Sequence, residues 1–503
     1  MSSLLLSLDL GTTHSKAGLF TESGDLLKSA SRKMILHHDP QFSSYFDPEE
    51  LWKAVVQVIR EITAGIDPRK IVAVGITCMA ETGLLIDVQT SEHRTPLIPW
   101  FNNSSTPQVA LLEENDDPID RFRSSGIRPN FKCSLSKLLW IRQMDPSLLK
   151  GATWLSTADF IAFKLTGETS TDYSLAGRTY AFDIQTKTWD ADWLQAFDLS
   201  TKLFPPVVPS GHPIGYLTQE AGSSSGLHPG TTVAICGHDH VCAAFSILGN
   251  NTNMVFDSMG TAEALLGVLE KNSLGTTEYD SGLVFGSYVS DDSYYWMGGM
   301  SASGGSLEWL RKILGDPALT YKQMEAILSK ATPGPTGILY FPYLSGSGSP
   351  HTDIYARGAF VGLKSNHQRA DMAKAVLEGT AFEAEFIRRA AENLLKVKID
   401  SIVASGGGTR IQDWIQIKAD VFGCPIEVPA TSETTLLGAA LLVGLGIGLY
   451  PDASSAISAV YKNPESIYQS NDSHNQVYQD LYQKGFIPLQ NPLRKVFRST
   501  NPK

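Results

Sequence analysis

Twice in this chain an apolar run ends in Asp and then, after one or two residues, in Gly-Thr. Leu4-Leu5-Leu6-Ser7-Leu8-Asp9-Leu10-Gly11-Thr12-Thr13 opens it, and Val255-Phe256-Asp257-Ser258-Met259-Gly260-Thr261 repeats the pattern near its middle. A strand that runs into a glycine turn lets backbone N–H groups approach phosphate oxygens, with a threonine hydroxyl beside them. A carboxylate at the strand end can hold Mg²⁺ through water, because that cation prefers oxygen ligands and keeps much of its hydration shell. One copy alone reads equally well as a hairpin turn. Two copies, one per half, restrict the fold to two similar α/β halves that grip one nucleotide triphosphate, and so point to phosphoryl transfer.

Other phosphate-binding designs are absent. No Gly-x-x-x-x-Gly-Lys-Ser/Thr loop occurs, which removes P-loop chemistry. No strand runs into Gly-x-Gly-x-x-Gly with an acidic residue about twenty residues on, as a dinucleotide site requires.

With 503 residues the chain exceeds what one core supports, and a division into 1–250 and 251–503 is expected. A hydrophobic fraction of 42% with 18% charged residues fits a globular enzyme rather than a disordered chain. The net charge of −11, with no basic cluster, argues against nucleic acid or an anionic membrane as partner. Five scattered cysteines without metal-ligand spacing read as reduced and buried, which places the protein in the cytoplasm. The short apolar run before Asp9 has no positive region ahead of it and reads as a strand, not a signal peptide. Leu436 to Leu449 is too short to span a bilayer and reads as a buried helix.

Along the chain, Asp47-Pro48-Glu49-Glu50 supplies an N-cap, a proline and an acidic first turn for a helix over about 51–64. Val/Ile-rich strands are expected at 71–76, 232–236 and 399–404; the first leads into Cys78-Met79-Ala80-Glu81 and a further strand at 84–87, the other two into a turn and helical pattern. Strands alternating with helices predict α/β layers. The tail after Tyr450 is polar and reads as helical or irregular, without chemistry.

The ordered motifs resemble the FGGY family of carbohydrate kinases, relatives of glycerol kinase and xylulokinase. Beside Asp9-Leu10-Gly11-Thr12-Thr13 they include Ser134 to Trp140, Leu165-Thr166-Gly167 and Thr171-Asp172-Tyr173-Ser174. The second half adds Phe341-Pro342-Tyr343-Leu344-Ser345-Gly346, Ala356-Arg357-Gly358-Ala359-Phe360, Glu378-Gly379-Thr380 and Ser405-Gly406-Gly407-Gly408. Trp414-Ile415-Gln416 and Leu437-Gly438-Ala439-Ala440 complete the series. The resemblance implies two actin-like (ribonuclease H-like) ATPase domains with the active site in the cleft between them, ATP and Mg²⁺ as cofactors, and a sugar or polyol as substrate. It leaves a homodimer open.

The same resemblance implies residue roles. Asp239 falls on the catalytic base, which takes the proton of the attacking hydroxyl; a helix N-cap is the other reading of an Asp there. Gly11, Thr12, Thr13, Gly260 and Thr261 correspond to the phosphate turns, Asp9 to an indirect Mg²⁺ anchor, and Lys16 to a basic residue near the transferred phosphoryl group. An exposed strand lysine is the plainer reading of Lys16. Gly406, Gly407 and Gly408 carry the adenosine end, where Ile411 replaces a common Ser. Glu81 aligns with a substrate-binding Glu of glycerol kinases, although Ala80 replaces their Arg; a surface loop residue is its plainer reading. His240 stands where a Gln commonly meets substrate, while His238 reads as structural. His238 and His240 around an Asp suggest a metal, but no third ligand stands at ligand spacing. Trp100 and Asn102 follow as substrate contacts, with Asn102 and Ser104 in place of the usual Asp and Arg; Trp100 alone reads equally as core. Together these imply ATP-dependent phosphorylation of a terminal hydroxyl of a small ketose or polyol. An ATP hydrolase or a nucleotide-dependent interaction protein on the same fold are the rivals.

Overall fold

The computed structural model describes residues 3–290 and 292–500. Two mixed sheets carry the fold. The first uses β1 (Leu4–Leu10), β2 (His14–Thr21), β3 (Leu26–Lys33), β4 (Ile71–Cys78), β5 (Pro213–Tyr216) and β6 (Thr232–His238) in the spatial order β5-β6-β4-β1-β2-β3. The second uses β7 (Val255–Met259), β8 (Glu263–Glu270), β9 (Val284–Ser287), β10 (Ser293–Met300), β11 (Ile402–Ser405), β12 (Ile426–Val428) and β13 (Ser466–Tyr468) in the order β9-β10-β8-β7-β11-β12-β13.

The sheets repeat one plan. β1 runs antiparallel to β2 and parallel to β4, which is parallel to β6. β7 likewise runs antiparallel to β8 and parallel to β11, which is parallel to β12. Each Asp-to-Gly-Thr turn therefore lies at the end of a central strand and leads into an antiparallel neighbour. The recurrence read from the sequence is a recurrence of topology. β13 was not expected in the polar tail; it pairs antiparallel with β12 at the sheet edge, where half-exposed residues leave little hydrophobic pattern to read.

β1 is buried except at Asp9 because both faces of its sheet are covered. Helix Pro48–Thr63 covers one side, packing against β2 and β3. Asp47 caps it, accepting hydrogen bonds from Glu49 and Glu50 N–H at 2.8 and 2.9 Å. Leu51, Val55, Val58, Ile59 and Ile62 line its buried face at helical spacing.

The apolar stretch near 436–449 forms helix Thr434–Gly446, buried from Leu436 to Gly444. Although it follows β12 of the second sheet in sequence, it packs on β1, β4 and β6 of the first and crosses helix Asp239–Leu248. That shielding on all sides explains its unbroken apolar composition. No described helix is long and apolar enough to cross a membrane. All five cysteines are free and buried.

Candidate active site

The first turn is held from several directions. Gly11 N–H donates to His14 O at 3.1 Å, and Met34 N–H donates to Thr13 O at 2.8 Å. The Trp100 indole N–H donates to the Thr12 hydroxyl at 2.9 Å. Trp100, half-buried, is thus a support for the turn and is not simply core. Lys16 lies opposite Asp9 in the β1–β2 register, yet its ammonium pairs with Glu433 at 3.0 Å, at the start of helix Thr434–Gly446. Asp9 Oδ1 is buried with no hydrogen-bond partner. Burial, then the charge of Asp239, push the Asp9 carboxyl up to about 7, against the pull of Lys16.

Asp239 follows β6. Helix Asp239–Leu248 begins at this residue, with His238 in the cap position and no side-chain cap bond. The N-cap reading of Asp239 is therefore not realised. Its Oδ1 accepts from His240 N–H at 2.7 Å and lies 3.2 Å from His238 Nε2. Burial alone would raise this carboxyl, but His240 and His238 hold it below the usual carboxylate range. His240 Nδ1 meets the Ser258 hydroxyl at 3.1 Å, beside the second turn. Burial lowers the His240 pKa against the pull of Asp239, which favours the neutral ring. Gly237 enables this strand end: its φ is +101°, and a Cβ there would lie 2.4 Å from Ser174 Oγ.

Glu81 is not a surface loop residue. Its backbone is left-handed at φ +65°, a conformation a non-glycine residue holds only when its surroundings fix it. They do. The Lys137 ammonium donates to the Glu81 carbonyl, and Arg178 Nη2 and Nε donate to Glu81 Oε1 at 2.5 and 3.1 Å. Burial works to raise the Glu81 carboxyl, but Arg178, then Lys132 and Lys137, bring it below its ordinary value. Burial pushes the Lys137 ammonium down to about 7. Lys132 stands 5.0 Å over the Trp100 ring, so Glu81, Trp100, Lys132, Lys137 and Arg178 form one cluster beside the first turn.

Asn102 departs from expectation. Its amide donates to Phe42 O and Ser44 O at 2.7 and 2.8 Å, and its oxygen accepts from Ser104 N–H at 3.0 Å. The side chain is buried and locks its own loop, so both donors expected to face substrate are already occupied.

In the second turn, Gly304 and Gly305 N–H donate to the carbonyls of Gly260 and Thr261 at 3.1 and 2.9 Å. The start of helix Gly304–Leu314 therefore abuts the turn. Asp257 differs from Asp9: buried Lys418 pairs with both Asp257 and Glu263. The glycine triplet divides its labour. Gly406 has φ +107° and a Cβ there would fall 2.6 Å from Met259 O, while one on Gly408 would fall 2.9 Å from Met259 Cβ. Both are needed for close packing on the second turn. A Cβ on Gly407 would meet nothing within 4 Å. Two of the three glycines thus have a packing reason, and only the middle one faces free space.

Two family descriptions match consecutive parts of the chain: "FGGY family of carbohydrate kinases, N-terminal domain" over residues 4–246, and its C-terminal counterpart over 258–446. The chain belongs to the FGGY family of carbohydrate kinases. Among relatives, it is 29% identical to glycerol kinase 2 of Thermotoga maritima, over 90% of this chain and 92% of that protein. It is 27% identical to a xylulose kinase of Staphylococcus epidermidis, over 95% of each. A crystal structure of gluconate kinase from Lactobacillus acidophilus shares its fold with a TM-score of 0.90, at 24% identity over the whole of both chains.

This carbohydrate kinase has a donor set that fits the groups its family implies. The unpartnered buried oxygen of Asp9 suits a hydrated divalent cation. The space beside Gly407 and the exposed Gly260-Thr261 turn suit a nucleotide. Arg178, Lys132, Ser258 and Gly304 were missed in the sequence. Ser258 stands inside the second Asp-to-Gly-Thr run, where nothing local marks His240 as its partner; the other three lie in no recognisable local motif, and Arg178 reaches Glu81 across 97 residues.

Proposed function

We propose that this kinase phosphorylates a terminal hydroxyl of a small ketose or polyol, with Asp239 as general base and ATP with Mg²⁺ as donor, the acceptor bound by residues 1–250 and the nucleotide by 251–503. ATP brings the phosphoryl group, and a divalent cation offsets the charge on its oxygens. The observation that carries this reading is Asp239 itself. Its carboxyl is held below the usual carboxylate range in spite of burial, and it lies close enough to Asp9 to raise that group's pKa. A hydroxyl within hydrogen-bond reach of Asp239 can pass it a proton as the oxygen attacks phosphorus.

Other residues hold the reactants. Asp9 anchors the hydrated cation. Gly11, Thr12 and Thr13 face the phosphates from one half, and Gly260 and Thr261 from the other. Lys16 turns from Glu433 to the phosphate oxygens. The Glu81 carboxylate, fixed by Arg178 at Oε1, accepts from acceptor hydroxyls, and Trp100 and His240 border the same space. Relatives named glycerol kinase and xylulose kinase support a small polyol or ketose, while Ala80 and the internally bonded Asn102 argue for a pocket unlike that of either. The free, buried cysteines agree with a cytoplasmic enzyme.

The test is ATP turnover over a panel of trioses, tetroses, pentuloses, hexoses and their polyols, beside Asp239→Ala. We expect one acceptor to be strongly preferred, and the variant to lose about 10²- to 10⁴-fold in turnover while still binding ATP. ATP loss independent of any sugar, equal in both proteins, would replace this reading with a hydrolase.

A further inference from the structure

We propose that His238, Asp239 and His240 also form a binding site for a transition-metal ion such as Zn²⁺, and that filling it inhibits the enzyme. One ligand atom from each residue lies within 4.8 Å of those of the other two. His238 Nε2 and Asp239 Oδ1 are 3.2 Å apart. Two ligands at about 2.0–2.2 Å from one tetrahedral zinc lie roughly that far apart, so the pair already spans an edge of such a site.

The outer contact of His240 agrees. His240 Nδ1 is engaged by Ser258 Oγ, which leaves Nε2 for a metal; a partner on the other ring nitrogen is the usual support for a metal-bound histidine. His238 is 5% exposed, and its Nδ1 has no hydrogen-bond partner. Asp239 is therefore the polar partner of that ring, and a cation can replace the proton between them. Binding would release that proton to solvent, with no change of oxidation state. Imidazole nitrogens favour zinc and its neighbours over Mg²⁺, which belongs with oxygen ligands such as Asp9 and phosphate. The two cations thus have separate places.

The site itself does not depend on the role of Asp239, but the inhibition does, since a metal-bound carboxylate cannot accept the hydroxyl proton. Zn²⁺ is titrated into the nucleotide-free full chain by calorimetry, and Co²⁺ is followed by its visible absorption. We expect one ion per chain at about micromolar affinity. His238→Asn and His240→Asn should each weaken binding at least about tenfold (one 1.4 kcal/mol step) while retaining ATP binding. Failure to bind below about 0.1 mM, or an affinity equal to that of the native chain in both variants, would overturn the site. In the second arm, Zn²⁺ added to the working kinase should abolish turnover, and a zinc chelator should restore it. Binding without inhibition would instead overturn Asp239 as the base and leave the site standing.

Discussion

At the scale of single residues, the two copies of the turn part company at the carboxylate. Asp257 is held by buried Lys418, whereas Asp9 has an unpartnered buried oxygen while the lysine opposite it bonds elsewhere. The sequence presents the two as equals, because Lys418 lies 161 residues from Asp257 on a helix of its own. A carboxyl raised to about 7 in the fold is favoured there only when protonated. Its contribution to stability is present below its ordinary pKa of about 4 and is lost as pH rises through about 7. We expect Asp9→Asn to remove that dependence. In thermal melts of the ligand-free protein, the variant should gain on the native chain between about pH 5 and about pH 8. Mg²⁺ with nucleotide should then stabilise the native chain alone. A native chain that gains on the variant as pH rises would contradict an unpaired carboxylate at this position.

Secondary-structure elements were legible where the pattern is local. The Asp47 cap, the Val/Ile-rich strands and the glycine turns stand at or near their expected places because backbone and neighbouring side chains decide them. The crossing of helices Asp239–Leu248 and Thr434–Gly446 was not legible, since nothing in Leu437-Gly438-Ala439-Ala440 names the surface it meets. The structure supplies the reason for those small residues. A Cβ on Gly438 would lie 1.9 Å from the Cys242 carbonyl oxygen, and one on Gly75 would lie 2.5 Å from Ala439 O. Both contacts are with backbone and cannot be relieved by a rotamer change. Gly438→Ala must therefore push the two helices apart, at a cost of about 1–3 kcal/mol or more. Gly407→Ala, with open space around it, should leave the melting temperature nearly unchanged and disturb nucleotide binding instead. Equal melting temperatures for Gly438→Ala and the native chain would show that the crossing is looser than its geometry implies.

Across the whole molecule, the two halves are tied by a matched pair of contacts. Lys16, beside the first turn, meets Glu433 at the start of the helix that follows the second sheet. Ser258, beside the second turn, meets His240 at the start of the helix that follows the first sheet. A strand residue beside each turn thus touches the leading end of the other half's crossing helix. The Lys16–Glu433 pair is 39% and 26% exposed, and such a pair contributes at most about 1 kcal/mol. A contact that weak is suited to exchange, and under the proposed function Lys16 would leave Glu433 for phosphate oxygens at little cost. Glu433→Gln should therefore leave the melting temperature within about a degree of native, while nucleotide binds up to about fivefold tighter because a competing carboxylate is gone. Calorimetric titration of both proteins with a non-hydrolysable ATP analogue measures the difference. Weaker binding in the variant would mean that Glu433 positions Lys16 for the nucleotide rather than holding it away.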